Sequence, residues 1–409
     1  MNASSTVQHL PASHSPRTLR VVQLLLSDNL AGAEQHVALL SRELAGLGAQ
    51  VDLICGDRNR PVLEQLEGAA VRVHPLRLGR GHLPVDWREA CRALATGAPH
   101  IVHAHLGSSL LCGGLLTPPR ARLVFTQHFV YPAYQQLRGL RHLLRLMAHR
   151  LIHQRVAAAI APSRAVLSRM TAVEGFPVTR SWAVPHGIDV EGVQARALGS
   201  STVRSELGLP ADAPVLLTPA RLEPEKGHAT LLAALSLLAS DHPNACLLLA
   251  GSGSLDATLA AQAQRLGLSA HVRFLGHRPD IPRLLAAATL CVLPSYEEPF
   301  GLVLLEAMAV GKAVVACGAG GPVEIVEPGA TGLLVPPHNP EALADAISAL
   351  LFNPDLAHRM GSAGQRRVVD RFSARRMAED VLRVYYEVLR RRHFGRQATR
   401  QCLHSEGNT

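Results

Sequence analysis

The sequence predicts an α/β protein of two doubly wound, parallel-sheet domains facing one another across a central cleft. Three observations predict it. Twelve short, continuously apolar runs alternate with longer stretches of helical spacing, the pattern of strands covered on both faces. The runs form two sets of six, separated by a stretch rich in Gly, Ala, Ser and Pro. A chain of 409 residues, 47% of them apolar, is long enough for two cores.

The elements follow in order. A polar leader over 1–17 lacks the basic, apolar and small-residue pattern of a secretory signal and reads as flexible. The first domain spans 18–189, with strand-like runs at 19–26, 50–56, 71–76, 100–106, 122–128 and 157–163. Residues 190–213 read as the connection. The second domain spans 214–372, with runs at 214–220, 245–253, 272–277, 288–295, 312–318 and 332–337. Helical spacing is clearest at 34–47, 228–240 and 300–310. An amphipathic helix over 373–395 is expected to pack back across the domain boundary, and 396–409 reads as a flexible tail. In doubly wound sheets ligands bind beyond the carboxyl ends of the strands, so the loops that follow strands are where chemistry is sought.

Composition narrows the function. No run of about 20 apolar residues occurs, so no membrane-spanning helix is expected. The seven cysteines are scattered, without metal-binding spacing, and most lie in apolar segments, which fits reduced, buried thiols in a reducing compartment. The expected location is therefore cytoplasmic, with peripheral contact at the inner face of the cytoplasmic membrane. Net charge is +9, and its source is local: no acidic residue lies between Glu89 and Glu174, a window holding ten arginines. Within it, Arg138, Arg141 and Arg145 share a stripe opposite several leucines. A surface helix packing its leucines inward explains the leucines, and an anionic membrane surface is a match for the arginines. Nucleic acid is disfavoured, because aromatics make up 4% of the chain and none interleaves with the stripe.

Two loops carry candidate chemistry. The first reads Ser295-Tyr296-Glu297-Glu298-Pro299-Phe300-Gly301-Leu302 and runs into a helix. Pro299 suits a helix start, and the amides of Phe300, Gly301 and Leu302 would be free donors for a diphosphate. Glu306, one turn beyond Leu302, could accept bonds from two vicinal hydroxyls of a ribose, and Glu298 could reach a sugar hydroxyl. The plain alternative is a helix cap and a solvated carboxylate. The second loop reads Arg221-Leu222-Glu223-Pro224-Glu225-Lys226-Gly227. Arg221 and Lys226 could stabilise charge on a diphosphate leaving group, or form a solvated turn paired with Glu223 and Glu225. Only two lysines, Lys226 and Lys312, occur in the chain.

Glycine-rich turns include Gly32, Gly251 and Gly253, and none completes a dinucleotide fingerprint after the first strand, which disfavours a dehydrogenase. His128 ends a strand and could point into the cleft. His103 and His105 alternate and share a face, but no carboxylate lies nearby in sequence and no Asp-x-Asp occurs, so no protein-bound catalytic metal is expected.

These residues resemble family four of the retaining glycosyltransferases, whose members have the two-Rossmann GT-B fold. The matching pieces are RLEPEKG, AGSGSL, FLGH, PSYEEPFGLVLLEAMAVGKAVVA and GGPVEIVEPGATGLLVPP, in the family's order. AGAEQHV, HIVHAHL, TQH and VPHGID match more loosely in the first half. The resemblance implies an acceptor-binding first domain and a nucleotide-sugar-binding second domain. It places Arg221 and Lys226 at the donor diphosphate with the backbone of Phe300, Gly301 and Leu302, Glu306 at the ribose, Glu298 and His128 at the transferred sugar, Gly32 beside the donor phosphate or the acceptor, and Gly251 and Gly276 around the donor. His186 stands where asparagine is usual, and no role follows from it.

The expected activity is transfer of a sugar from a nucleotide-diphosphate sugar to an acceptor hydroxyl with retention, without a metal or other cofactor. A glycan or lipid-linked acceptor in envelope polysaccharide, lipopolysaccharide or glycolipid synthesis is the expected substrate class. A sugar-nucleotide epimerase, a phosphorylase, or a non-catalytic GT-B-like binding subunit are the alternatives.

Overall fold

A computed structural model describes residues 18–28, 32–129, 151–210 and 212–405. The stripe residues Arg138, Arg141 and Arg145 therefore lie outside the described residues. Two parallel sheets form the frame. The first contains β1 (Arg20–Leu25), β2 (Gln50–Gly56), β3 (Val71–Leu76), β4 (Ile101–His105), β5 (Arg122–Thr126), β6 (Val156–Ala161) and β7 (Ser181–Ala183), in the order β3-β2-β1-β4-β5-β6-β7. The second contains β8 (Val215–Pro219), β9 (Cys246–Ala250), β10 (Val272–Gly276), β11 (Leu290–Leu293), β12 (Val314–Cys317) and β13 (Gly332–Val335), in the order β10-β9-β8-β11-β12-β13. Every pairing within both sheets is parallel.

Each sheet reverses its winding once, between β1 and β4 in the first and between β8 and β11 in the second. A crevice opens at such a reversal because adjacent loops leave on opposite faces of the sheet. The loops after β8 and β11 are those carrying Lys226 and Glu298.

The strand that sequence patterning misses is β7, three half-buried residues at a sheet edge, too short to show a period. Two boundaries also differ from expectation. Residues 190–213 are not a bare connection: Val190–Arg196 and Val203–Glu206 are helices. Val193, Val203 and Leu209 are buried with Leu284, Leu304 and Leu305, so this segment folds as part of the second domain. The last helix runs Ala374–Ser405, into the region expected to be a loose tail.

That helix belongs to the first domain's core. Met377, Ala378, Val381, Val384, Tyr385 and Val388 recur at helical spacing and are buried against Val21, Ile101, Val124 and Ile160 of the sheet. At about 2 kcal/mol per large apolar side chain, this docking contributes on the order of 10 kcal/mol before entropy. The chain thus crosses between domains twice, and the two crossings lie side by side. Ile188 N donates to Phe372 O at 2.9 Å and Ala374 N to Ile188 O at 2.9 Å.

Across the cleft, Ser163 Oγ donates to Pro299 O at 2.7 Å, and the Arg164 amide donates to Glu324 Oε1 at 2.6 Å. Among the described residues no helix is long and apolar enough to cross a membrane. Cys55, Cys91, Cys112, Cys246, Cys291 and Cys317 are free, and all but Cys91 are buried.

Candidate active site

On the second domain's side, the loop after β8 turns through Gly227 at φ +70° into the helix His228–Leu238. A Cβ on Gly227 would lie 2.0 Å from Pro294 O, so only glycine lets this turn press against the loop after β11. That contact sets Lys226 Nζ 2.8 Å from Glu298 Oε2, both side chains largely buried. Lys226 and Glu298, 72 residues apart in sequence, form one charged centre.

Arg221 does not join it. Its guanidinium pairs with Glu225 Oε1 at 2.9 Å and is mostly exposed, while Glu223 accepts from the Ser254 amide and hydroxyl. An i,i+4 partner within the turn is simply nearer than the cleft.

The helix after the Glu298 loop begins later than expected, at Leu302, with Gly301 as N-cap at φ +104°. Pro299 precedes the cap rather than opening the helix, and the left-handed turn at Gly301 is the reason. Phe300 is 3% exposed and packs in the core near His186 and Phe372, so its side chain is structural. No side chain caps this helix; the Leu304 amide bonds to Gly301 O at 2.9 Å, which leaves those of Leu302 and Val303 as donors. Gly32 approaches from the first domain: a Cβ there would meet Leu302 Cδ1 at 3.4 Å.

Glu306 lies one turn into this helix. Among the described residues its carboxyl has no hydrogen-bond or ion-pair partner, and burial raises it to about 7, opposed by Arg196. A half-buried carboxyl without a partner suits an incoming pair of hydroxyls. Gly251 and Gly276 meet in a backbone bridge. A Cβ on Gly251 would sit 2.0 Å from Ala220 O, and Gly276 turns at φ +63° to bridge Gly251. Both let the loops after β8, β9 and β10 close on one another.

On the first domain's side, His128 joins a buried group that sequence proximity does not reveal. His36 from the helix Gly32–Gly46, His103 and His105 from β4, His128 after β5 and His186 after β7 are all at most 6% exposed. His105 Nε2 lies 2.8 Å from Gln23 Oε1, which can only accept, so this nitrogen carries the proton. His105 Nδ1 then accepts from His128 Nε2 at 3.0 Å, and His128 Nδ1 accepts from His186 Nε2 at 3.3 Å. The Gln23 amide donates to Tyr385 Oη, which donates to His103 Nδ1 at 2.6 Å, and His103 Nε2 donates to Thr126 Oγ1. Burial lowers the basicity of all five rings, His36 to about 3, and mutual repulsion adds to it for the other four.

Gln23, His36 and Tyr385 are thus site-forming residues that sequence reading passed over. The signal for Gln23 was present, a lone amide inside the apolar run LRVVQLLL. Tyr385 left none, because only the return of the last helix brings it to β4.

Two facing doubly wound domains, with a lysine–carboxylate centre and an uncapped helix terminus at the switch point of the second, are the architecture of a GT-B glycosyltransferase. Residues 200–367 match the family Glycosyl transferases group 1 and residues 30–191 match Glycosyltransferase Family 4. A D-inositol 3-phosphate glycosyltransferase from Nocardioides sp. is 31% identical over 390 residues, covering 87% of this chain and 84% of that protein. Among solved structures, Anabaena HepE in complex with UDP-glucose aligns with a TM-score of 0.74 at 27% identity, over 90% of this chain and all of that one. A sucrose-phosphate synthase from Thermosynechococcus elongatus aligns at 0.73 and 26% identity, over 91% of this chain and 99% of that one. The chain is a glycosyltransferase and belongs to glycosyltransferase family 4.

Proposed function

We propose that this enzyme moves a sugar from a nucleoside-diphosphate sugar to an acceptor hydroxyl, with retention of anomeric configuration and without a metal ion. The observation that carries the reading is the Lys226–Glu298 pair at 2.8 Å, set beside the uncapped N-terminus of the helix Leu302–Ala309. Lys226 and the first-turn amides meet the diphosphate as negative charge develops on it. Arg221, mostly exposed, exchanges Glu225 for a phosphate oxygen. Glu298 positions the sugar, and Glu306 accepts from the ribose hydroxyls. His128 lies against the transferred sugar, and the departing phosphate takes the acceptor's proton on the same face.

HepE is solved in complex with UDP-glucose, which makes a uridine donor the first to test. The acidic-free, arginine-rich window of the first domain favours a lipid-linked or envelope-glycan acceptor at an anionic surface. Binding to phosphatidylglycerol vesicles that weakens as salt rises would support that surface, and salt-independent binding or none would reject it.

The donor is tested by thermal shift with UDP-, GDP- and ADP-sugars. A ligand at 100 times its Kd adds about 2.7 kcal/mol of stability. Stabilisation by one nucleotide class, followed by α-linked product from an α-linked donor, fits the reading. Isomerised donor or released sugar phosphate without transfer refutes it.

A further inference from the structure

Three of the buried histidines have a property that sugar transfer does not require. Ring nitrogens of His36, His105 and His128, one from each, lie within 4.8 Å of one another. Three imidazoles converging from one helix, one strand and one loop resemble the protein half of a tetrahedral transition-metal site, in which neighbouring nitrogens sit about 3.3 Å apart around bonds of about 2.0–2.1 Å. We propose that His36, His105 and His128 form a zinc-class metal site whose occupation withdraws His128 from the sugar and switches transfer off.

Two further observations support it. First, His36 Nδ1 is buried without any partner, an unusual state for a nitrogen on a ring 5% exposed. A metal ion is one ligand that removes that cost. Second, the outer contacts are in place. Metal-bound imidazoles hold their second nitrogen on a carbonyl or another acceptor, and His105 Nε2 already donates to Gln23 Oε1 at 2.8 Å. His128 Nδ1 faces His186 Nε2 at 3.3 Å, and a shift of the His128 proton from Nε2 to Nδ1, with the His186 proton moving from Nε2 to its unpartnered Nδ1, reverses that bond and frees His128 Nε2 for the metal.

An all-imidazole set selects Zn²⁺, Cu²⁺, Ni²⁺ or Co²⁺ over Mg²⁺ and Ca²⁺. Sequence reading set a metal aside because no carboxylate neighbours His103 and His105. The third ligand is instead another histidine, His36, and His103 is engaged elsewhere by Tyr385 and Thr126. Three neutral ligands leave the ion's charge uncompensated, so the fourth position takes hydroxide or another small anion. The transfer chemistry proposed above uses no metal, and this site opposes it.

The test uses the full chain stripped with chelator. Zn²⁺ is titrated by calorimetry, and Co²⁺ by visible absorption. The expected result is one equivalent per chain and the intense absorption bands of tetrahedral Co²⁺. His36→Ala and His105→Gln should each abolish that equivalent, and Gln23→Leu should weaken it by about 10–100-fold. His36→Gln serves as a second variant, and circular dichroism checks that each one folds. Zn²⁺ should inhibit transfer by the parent enzyme, reversibly with chelator, while whatever activity His36→Ala retains should be insensitive to Zn²⁺. Binding that persists in both histidine variants, weak octahedral Co²⁺ bands, or no stoichiometric uptake overturns the proposal. The binding measurements hold whatever the donor is, so failure of the transferase reading would show separately.

Discussion

Glu306 gives the transferase reading its most quantitative test. Its carboxyl is raised to about 7 by burial, and the proposed ribose contact favours the ionised form, whose two oxygens each accept from one hydroxyl. At pH 6 about a tenth of the free protein is ionised there, and at pH 8 about nine tenths. Apparent affinity scales with the competent fraction, so nucleotide binding should strengthen about tenfold, or ~1.4 kcal/mol, between those values. Calorimetric titration of the nucleoside diphosphate across this range measures it. The diphosphate titrates too, near pH 6, so Glu306→Gln is the necessary control: its affinity should be weaker at pH 8 and should lose the Glu306 share of the slope. The same shift predicts stability. Between the ordinary carboxylate value of 4.5 and about 7 the folded state holds more protons than the unfolded one, so stability falls as pH rises through that window. Glu174, also raised to about 7, adds to it with the same sign. Equal slopes in parent and Glu306→Gln would refute the assignment of Glu306 to the ribose.

Three further outcomes follow from the geometry. Lys226→Ala should cut transfer by at least about 100-fold, and a double-mutant cycle with Glu298→Gln should show coupling of about 1–3 kcal/mol, because the two largely buried groups are each other's partner; additive losses would mean the pair is not one unit. Gly251→Ala forces a Cβ to within 2.0 Å of Ala220 O, and chemical denaturation should report a loss of about 2 kcal/mol or more even though no ligand group is removed. Tyr385→Phe strands the Gln23 amide and His103 Nδ1 in the core, which should cost about 1–3 kcal/mol by the same measurement, and an unchanged midpoint would show that the chain of bonds is not intact in solution.

The sequence alone determined the two-domain α/β frame, because strands buried on both faces must be continuously apolar and leave that mark wherever they occur. It also pointed to the loops holding Lys226 and Glu298 and to the helix carrying Glu306, since doubly wound sheets put ligands at strand ends. Tertiary structure decided which of those residues meet. Lys226 finds Glu298 because Gly227 allows two loops to touch, whereas Arg221 keeps its local partner Glu225. It decided the fate of residues 190–213, whose few apolar positions become a core only against Leu284 and Leu304. The histidine cluster was decided there most of all. His36, His105, His128 and His186 are dispersed over 150 residues, and Gln23 and Tyr385 lie farther apart still. Periodicity reports which face of an element is buried, and it carries no information about which buried faces meet.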